Sequence, residues 1–351
     1  MKPTEESPMN NPAGSGHTPW PFSTPRPGEP VPAGSPQTLA DLGEFELIDL
    51  ITKGLPQHDQ VQLGPGDDAA IITSRGGRTL ISLDTLVEGV HFRRDWSSAM
   101  DIGRKTVAVN AADIEAMGAR PIGLVLGFSA PGDLSVTWVR YFVQGLREEC
   151  VRAGVALIGG DTTRSRDITL AVTILGDTGP EGPVLRSGAR PGDLVALCGR
   201  VGWAAAGLAA LSRGFRMPKA VVEAQQVPQP PYGQGSRAAA AGATAMIDVS
   251  DGLLADLGHI ASRSHVDIDV HKGALGMPEP IRSVGQATGT DPYVFLLTGG
   301  EDHALAATFP PGSVPEGWTV IGTVQEVHDR RPTVTVDGRP WEGTQGYDHF
   351  H

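Results

Sequence analysis

Beyond residue 80 the chain alternates short apolar runs with helical stretches, and aspartates recur where an apolar run ends or a helix begins. That alternation constrains the fold more than any other feature, because successive strand and helix units pack as layered α/β or α+β domains. Leu80–Val87 is strand-like. Met100–Met117 reads as a helix stopped by Gly118 and Pro121, Ile122–Phe128 as an apolar strand, and Thr137–Ala153 as a helix ended by Gly154. Val155–Ile158 and Ile168–Leu175 follow as strands. The turn-rich Ser187–Asp193 marks a domain boundary. The second half repeats the theme: strand Leu194–Cys198, helix Ala204–Ser212, part of a helix at Arg237–Ala241, and strand Ala245–Val249 running into helix Leu253–Arg263. Tyr293–Leu297 and His303–Phe309 flank a Gly-Gly turn.

Residues 1–42 lack this pattern. They carry ten prolines and almost no aliphatic residue before Leu39, so they cannot bury enough apolar surface to offset the entropy of ordering and are expected to form a disordered tail. A short amphipathic helix (Phe45, Leu47, Ile48, Ile51) opens the folded part. The expected organisation is a tail over 1–42 and two domains over 43–186 and 187–351. A net charge of −12 argues against a nucleic-acid surface, since phosphate backbones attract basic patches, but it leaves room for small phosphorylated ligands if cations offset the repulsion. Cys150 and Cys198 stand far apart with no CxxC and read as two buried thiols. No apolar run approaches the ~18 residues of a membrane span, and the start of the chain has no basic-then-apolar signal. A cytoplasmic location is expected.

Six carboxylate groups carry the chemical information. Gly64-Pro65-Gly66-Asp67-Asp68-Ala69 formally matches a dinucleotide fingerprint, but two carboxylates would face the pyrophosphate and no clear strand precedes it. Adjacent aspartates in a Gly-rich turn suit magnesium, with a solvated turn as the alternative. In Ser82-Leu83-Asp84-Thr85, Ser82 and Asp84 share a strand face while Ile81 and Leu83 point the other way. His91, a few residues on, means little by itself. Asn110 and Asp113 lie on one face of a largely buried helix, where a buried carboxylate needs a cation or donors; an internal cap or salt bridge is the alternative. Gly159-Gly160-Asp161 follows an apolar strand, and its glycines allow close approach of a phosphate. Asp248, Ser250 and Asp251 end another strand, where Ser250 or Asp251 can cap the next helix. Gly299-Gly300-Glu301-Asp302 alone reads as a hairpin tip. There is no Walker loop, no protein-kinase motif set and no GxSxG elbow, so any phosphate chemistry falls to aspartates and magnesium.

In this order, Gly66-Asp67-Asp68-Ala69, Asp84–Phe92, Ala108-Val109-Asn110 with Asp113, Gly159–Thr163, Arg186–Ala189, Asp248–Leu253, Gly299–Asp302 and the ending Gly346–Phe350 resemble the thiamine-monophosphate kinase family, over nearly the whole chain after the tail. The resemblance implies an aminoimidazole ribonucleotide synthetase-like α/β fold of two domains: an N-terminal ATP- and magnesium-binding domain whose sheet forms the interface of a homodimer, and a C-terminal domain completing the nucleotide and substrate site. It implies phosphoryl transfer from ATP to thiamine monophosphate. It implies several Mg2+ ions at Asp68, Ser82, Leu83, Asp84, Asp113, Asp161, Asp248 and Asp251, with Leu83 standing where relatives often place Thr. ATP contacts are implied at Gly160, Asp161, Arg186 and Ser250, and acceptor contacts at His91, Glu301 and Thr344. Thr344 occupies a place where an aromatic often covers the thiamine ring, and His303 replaces a common Tyr. Arg186 supplies electrostatic help and no side chain is needed as base.

Single motifs are shared with aminoimidazole ribonucleotide synthetase and selenophosphate synthetase. The latter is disfavoured because no Cys lies near the N-terminal metal motif. A non-catalytic ATP- or thiamine-phosphate-binding regulator is the other alternative, against which the number of metal-ligand aspartates argues.

Overall fold

The computed structural model describes residues 38–42, 44–63, 71–74, 77–328, 331–344 and 346. Thr38, the first described residue, lies inside the stretch assigned above to the tail. Thr38 bridges Ser135, and the backbone N–H groups of Leu39 and Ala40 donate to the carbonyls of Leu134 and Gly132. Leu39 and Leu42 pack on the first core, which gives this short piece its apolar contact. Helices α1 (Leu39–Leu42) and α2 (Glu44–Thr52) lead to a small antiparallel pair, β1 (Val61–Leu63) and β2 (Ile71–Ile72).

A four-stranded sheet follows from β3 (Thr79–Val87), β4 (Ala119–Ala130), β5 (Ala156–Arg164) and β6 (Thr169–Thr178), ordered β3-β6-β4-β5, with only β4 and β5 parallel. Helices α3 (Ala99–Ala116) and α4 (Val136–Ala153) are its local partners. Ser98 opens α3 with a capping box completed by Asp101, satisfying amides that a helix start leaves free. Gly154 closes α4 at φ 66°, a left-handed conformation that glycine adopts without steric cost. The sequence reading ended the strand after α4 at Ile158; instead β5 runs on through Gly159-Gly160-Asp161, because parallel pairing with β4 continues to Ala130↔Arg164. Pro121, read as a breaker, lies inside β4, where the ladder to β6 shifts register between Pro121 and Gly123; a bulge is where a residue without an N–H is tolerated.

The second sheet has seven strands: β7 (Leu194–Cys198), β8 (Ala245–Val249), β9 (Asp267–Val270), β10 (Ala304–Phe309), β11 (Thr319–Gln325), β12 (Val334–Val336) and β13 (Arg339–Pro340), in the order β13-β12-β9-β11-β7-β10-β8. Helices α5 (Trp203–Ser212), α6 (Lys219–Gln226), α7 (Gln234–Ala240), α8 (Leu253–Ser264), α9 (Glu279–Thr288) and α10 (Pro292–Thr298) complete this half. Alternation along the strands serves two cores. Val195, Leu197, Ile247, Val249, Ala304 and Ala306 join the core built with α5, α8, α9 and α10. Ala196, Cys198, Met246, Leu305 and Ala307 face the other way and pack with Ala116 at the end of α3 and with Ala238 and Ala239 of α7. Both cysteines are free and buried, and burial pushes the Cys150 thiol up to about 12. Residues 293–297, placed beside a hairpin tip in the sequence reading, are helical: Asp291 caps α10 and Pro292 sits at its first position. No helix among the described residues is long and apolar enough to cross a membrane.

Candidate active site

Helix α3 is buried along almost its whole length, although Lys105, Asn110 and Glu115 lie on it. It packs on β3, β4 and β6 and also on β8, β10 and α7 of the second half. Polar side chains on such a helix must find partners in the two halves it separates. Residues at every fourth position, Lys105, Val109 and Asp113, form one stripe that lines a cavity of about 540 Å³. The opposite wall comes from Met246–Asp248, Ser250 and Asp251, at and beyond the end of β8, with Arg186, Glu301 and His303.

On β3, Ser82 and Asp84 enter this cavity as alternation requires. Ser82 Oγ donates to Asp113 Oδ2 at 2.5 Å, and the Asp84 N–H donates to Asn110 Oδ1 at 3.2 Å. Burial is the main cause that raises the Asp113 carboxyl to about 7, reinforced by the charges of Asp248 and Asp84. Asp84 is raised too, by burial first and by Asp248 among its neighbours. Three carboxylates from β3, α3 and β8 therefore feel one another across the junction of the two halves. Asp248 is 5% exposed, and its Oδ2 lies 3.1 Å from His303 Nδ1. Burial lowers the His303 pKa, but its hydrogen bond to Asp248 and the surrounding carboxylates outweigh that and raise it.

Ser250 and Asp251 sit on a loop pinned by a residue outside the expected site. Asp256 Oδ2 accepts the backbone N–H groups of Ser250, Asp251 and Gly252 at 3.0–3.1 Å. An acidic residue in the first turn of α8 was a visible signal for it. The loop is covered by the turn after α10: a Cβ on Gly300 would collide with the Ser250 carbonyl, so only glycine allows that approach. Glu301, at φ 68°, points to the boundary between the main cavity and a second lobe of about 370 Å³ that also takes in His91, Phe92, Trp96, Ala204, Ala205 and Leu208. His91 Nδ1 accepts the Val87 N–H at 3.0 Å, which orients the ring. Lys105 Nζ donates to Glu301 Oε2 at 2.5 Å and to the His91 carbonyl at 3.0 Å. Burial would raise the Glu301 carboxyl, but the charges of Lys105 and His303 and the Lys105 hydrogen bond hold it below the usual range. Asp302 turns away from the cavity: its Oδ1 accepts the Ala204 N–H at the start of α5.

Not every expected residue joins this group. Asp67 and Asp68 lie outside the described residues. Leu83 is corrected: its side chain is 59% exposed on the face of β3 opposite Ser82 and Asp84, and a hydrocarbon has no donor atom for a metal. Gly160 and Asp161 are exposed on β5 and line neither lobe. Through the pairs Asp161↔Gly127, Gly127↔Ala171 and Ala171↔Thr85, Asp161 shares the outer face of the sheet with Leu83 and Ile81. Thr344 is exposed and lines neither lobe, although Gly346 packs against the Asp251 carbonyl. Conversely, Lys105 escaped the sequence reading; its place two turns before Asp113 on one helical stripe was the available signal.

Among the described residues, no three His, Cys, Asp or Glu are clustered as a metal cage made of protein ligands alone. Mg2+ does not require one. It binds through one or two carboxylates and fills its octahedron with water and phosphate oxygens, and the Asp84, Asp113 and Asp248 carboxyls that line the cavity present that donor chemistry.

The family model described as AIR synthase related protein, N-terminal domain, matches residues 66–178. A thiamine-monophosphate kinase from Mycobacterium tuberculosis is 48% identical over 314 residues, 89% of this chain and 93% of the relative. The enzyme of that name from Corynebacterium glutamicum is 39% identical, covering 89% and 95%. Among solved structures, thiamine monophosphate kinase from Aquifex aeolicus superposes with a TM-score of 0.71 at 32% identity, covering 87% of this chain and 99% of that one. AaThiL complexed with AMPPCP and TMP matches with the same TM-score at 33% identity, covering 89% and 98%. A sequence match of this identity and reach places the chain in the thiamine-monophosphate kinase family.

Proposed function

We propose that this chain phosphorylates thiamine monophosphate to thiamine diphosphate with ATP as donor, by direct in-line transfer. The observation that carries the reading is the cleft in which Ser82, Asp84 and Asp113 of one half meet Asp248, Ser250 and Asp251 of the other, beside a lobe bounded by His91 and Glu301. The solved relative in complex with AMPPCP and TMP supports it, since those ligands correspond to a donor analogue and the acceptor. In this reading residues 43–186 supply the ATP, metal and dimer functions and residues 187–351 complete the site.

Asp84, Asp113 and Asp248, with Ser82 and Asp251, would hold several Mg2+ ions. When bound, Mg2+ would supply neutralisation of the phosphate charge. Arg186, exposed at the mouth of the main cavity, faces the phosphates as a fixed positive charge. The Ser250 hydroxyl lies on the loop clamped by Asp256 and offers a preorganised polar contact to the nucleotide. His91 and Glu301 receive the acceptor at the junction of the lobes. A phosphate monoester has its second pKa near ~6, so the attacking oxygen is already ionised at neutral pH and no side chain serves as base. Repulsion between two anions is the obstacle, and positioning with opposite charge is the remedy.

Assembly follows from the uncovered face of the four-stranded sheet. Ile81 and Leu83 are 68% and 59% exposed there, on the face that Asp161 shares from β5 at the opposite edge of the sheet. A homodimer through that face would cover the apolar pair and bring the Gly160-Asp161 segments of two copies close to each other's sheets. A cytoplasmic location accords with ATP as donor. The decisive assay is purified protein with MgATP and either thiamine monophosphate or free thiamine, with products separated. Thiamine diphosphate formed only from the monophosphate is expected; no turnover of the monophosphate overturns the reading.

A further inference from the structure

Lys105 is 2% exposed in the middle of α3, a place where lysine is kept only with partners. Both partners belong to the boundary of the acceptor lobe. One is the Glu301 carboxylate, 196 residues away in the second half; the other is the carbonyl of His91 in the first. The Glu301 backbone is held separately, its N–H donating to the Ser250 carbonyl at 2.7 Å, so Lys105 acts on the direction of the side chain. The His91 ring is held separately by Val87, so Lys105 acts on the height of the turn. Glu301 remains 45% exposed at its side chain and reaches both lobes, whereas the Lys105 side chain is 3% exposed. The ammonium lies in the cavity wall with its hydrogen bonds directed at Glu301 and the His91 carbonyl, and is therefore placed to aim those groups.

We propose that Lys105 is the positioning residue of the acceptor pocket: a single ammonium on α3 sets the Glu301 carboxylate and the His91 turn together, so that the two halves present one pocket. This role rests on reading the cleft as the site for ATP and thiamine monophosphate. The chain of contacts makes it specific. A packing role alone would affect both substrates and the fold, while a positioning role acts on the acceptor and acts through Glu301.

Steady-state kinetics on the full-length protein test it, with Lys105→Met, Glu301→Gln and the double variant beside wild type. Loss of a charge-assisted hydrogen bond corresponds to a roughly 10- to 100-fold effect. Lys105→Met is expected to raise KM for thiamine monophosphate by that factor, to leave KM for ATP within about twofold, and to lower kcat by less than the KM change. Adding Lys105→Met to Glu301→Gln should cost less than the product of the two single effects, because the charged target of the lysine is already gone and only its hold on the His91 carbonyl is left to lose. If Lys105→Met does not fold, Lys105→Gln, whose amide still reaches for the His91 carbonyl, answers the same question with the same KM split. An unchanged acceptor KM, equal losses for both substrates, or fully multiplicative effects in the double variant would overturn the role while leaving the reaction intact. Wild-type protein that cannot phosphorylate thiamine monophosphate would instead remove the reading on which the role rests, and the role with it.

Discussion

Strands β3 and β8 both deliver an aspartate to the cleft, yet they are built in opposite ways. Along β3 exposure alternates, with Ile81 and Leu83 in solvent and Ser82 and Asp84 turned to the cavity. Along β8 all five residues are buried. Asp84 is thus carried by a strand with one free face, and its backbone is steadied by Asn110 from α3. Asp248 is carried by a strand closed on both faces, and its carboxylate needs His303 beside it. The second sheet is a scaffold whose interior tolerates little, whereas the first keeps a face available to another molecule.

The largest expected effect comes from placing the same charge in each sheet. Ile247, 2% exposed, lies in the second core. Ile247→Asp forfeits the burial of a large aliphatic, worth about 2–5 kcal/mol, and buries an unpaired carboxylate, which together rival the whole stability of a domain, typically about 5–15 kcal/mol; soluble folded protein should not be recovered. Leu83→Asp, on the free face, should fold with a thermal midpoint close to that of wild type but run as a monomer by light scattering. Folded Ile247→Asp, or a Leu83→Asp dimer, breaks the contrast.

Next come the two aspartates. Asp84→Asn and Asp248→Asn should each cut kcat by at least about 100-fold, since the charge stabilisation a metal site supplies is several kcal/mol and each 1.36 kcal/mol is tenfold in rate. Only Asp248→Asn should also lower the thermal midpoint, because it removes the charged partner of the buried His303. Near-normal turnover in either variant removes that residue from the metal set, and equal midpoints would erase the difference between the strands.

The smallest effect is a pH dependence of stability at the junction of the halves. Glu115 on α3 accepts the Gly233 and Gly235 N–H groups at 2.8 and 2.9 Å, and burial raises it from 4.5 to about 7 against those two bonds. A carboxyl with a raised folded pKa holds its proton longer when folded. Its contribution to stability is therefore full below about pH 4.5 and is lost as pH rises through about 7. A gap of that size is worth at most about 3 kcal/mol. The thermal midpoint of metal-free wild type relative to Glu115→Gln, followed from pH 5 to 8, should fall as pH rises; a pH-independent difference would show that Glu115 ionises normally.

Much of the site was legible because its pieces are local. A period of two puts Ser82 and Asp84 on one strand face, and a helical period puts Asn110 and Asp113 on one stripe. The family resemblance then ordered the pieces along the chain. The second half was read less completely: α6, α9, β9 and the strands after β10 carried no signal strong enough to separate them from their flanking turns. Leu83 was misassigned by carrying a ligand position across a change from a hydroxyl side chain to a hydrocarbon, although the alternation along β3 already turned it outward.

The sequence by itself determined which side chains share a face, where glycines permit close approach, and that aspartates cluster at strand ends, since these depend on neighbours a few residues apart. The tertiary structure alone decided which faces meet. Lys105 with Glu301 and His303 with Asp248 are pairs 196 and 55 residues apart; Asp161 was set on the outer face by strand register. Such pairings follow from how two sheets close around α3, and local periodicity, which repeats identically whichever face lies opposite, carries no information about that choice.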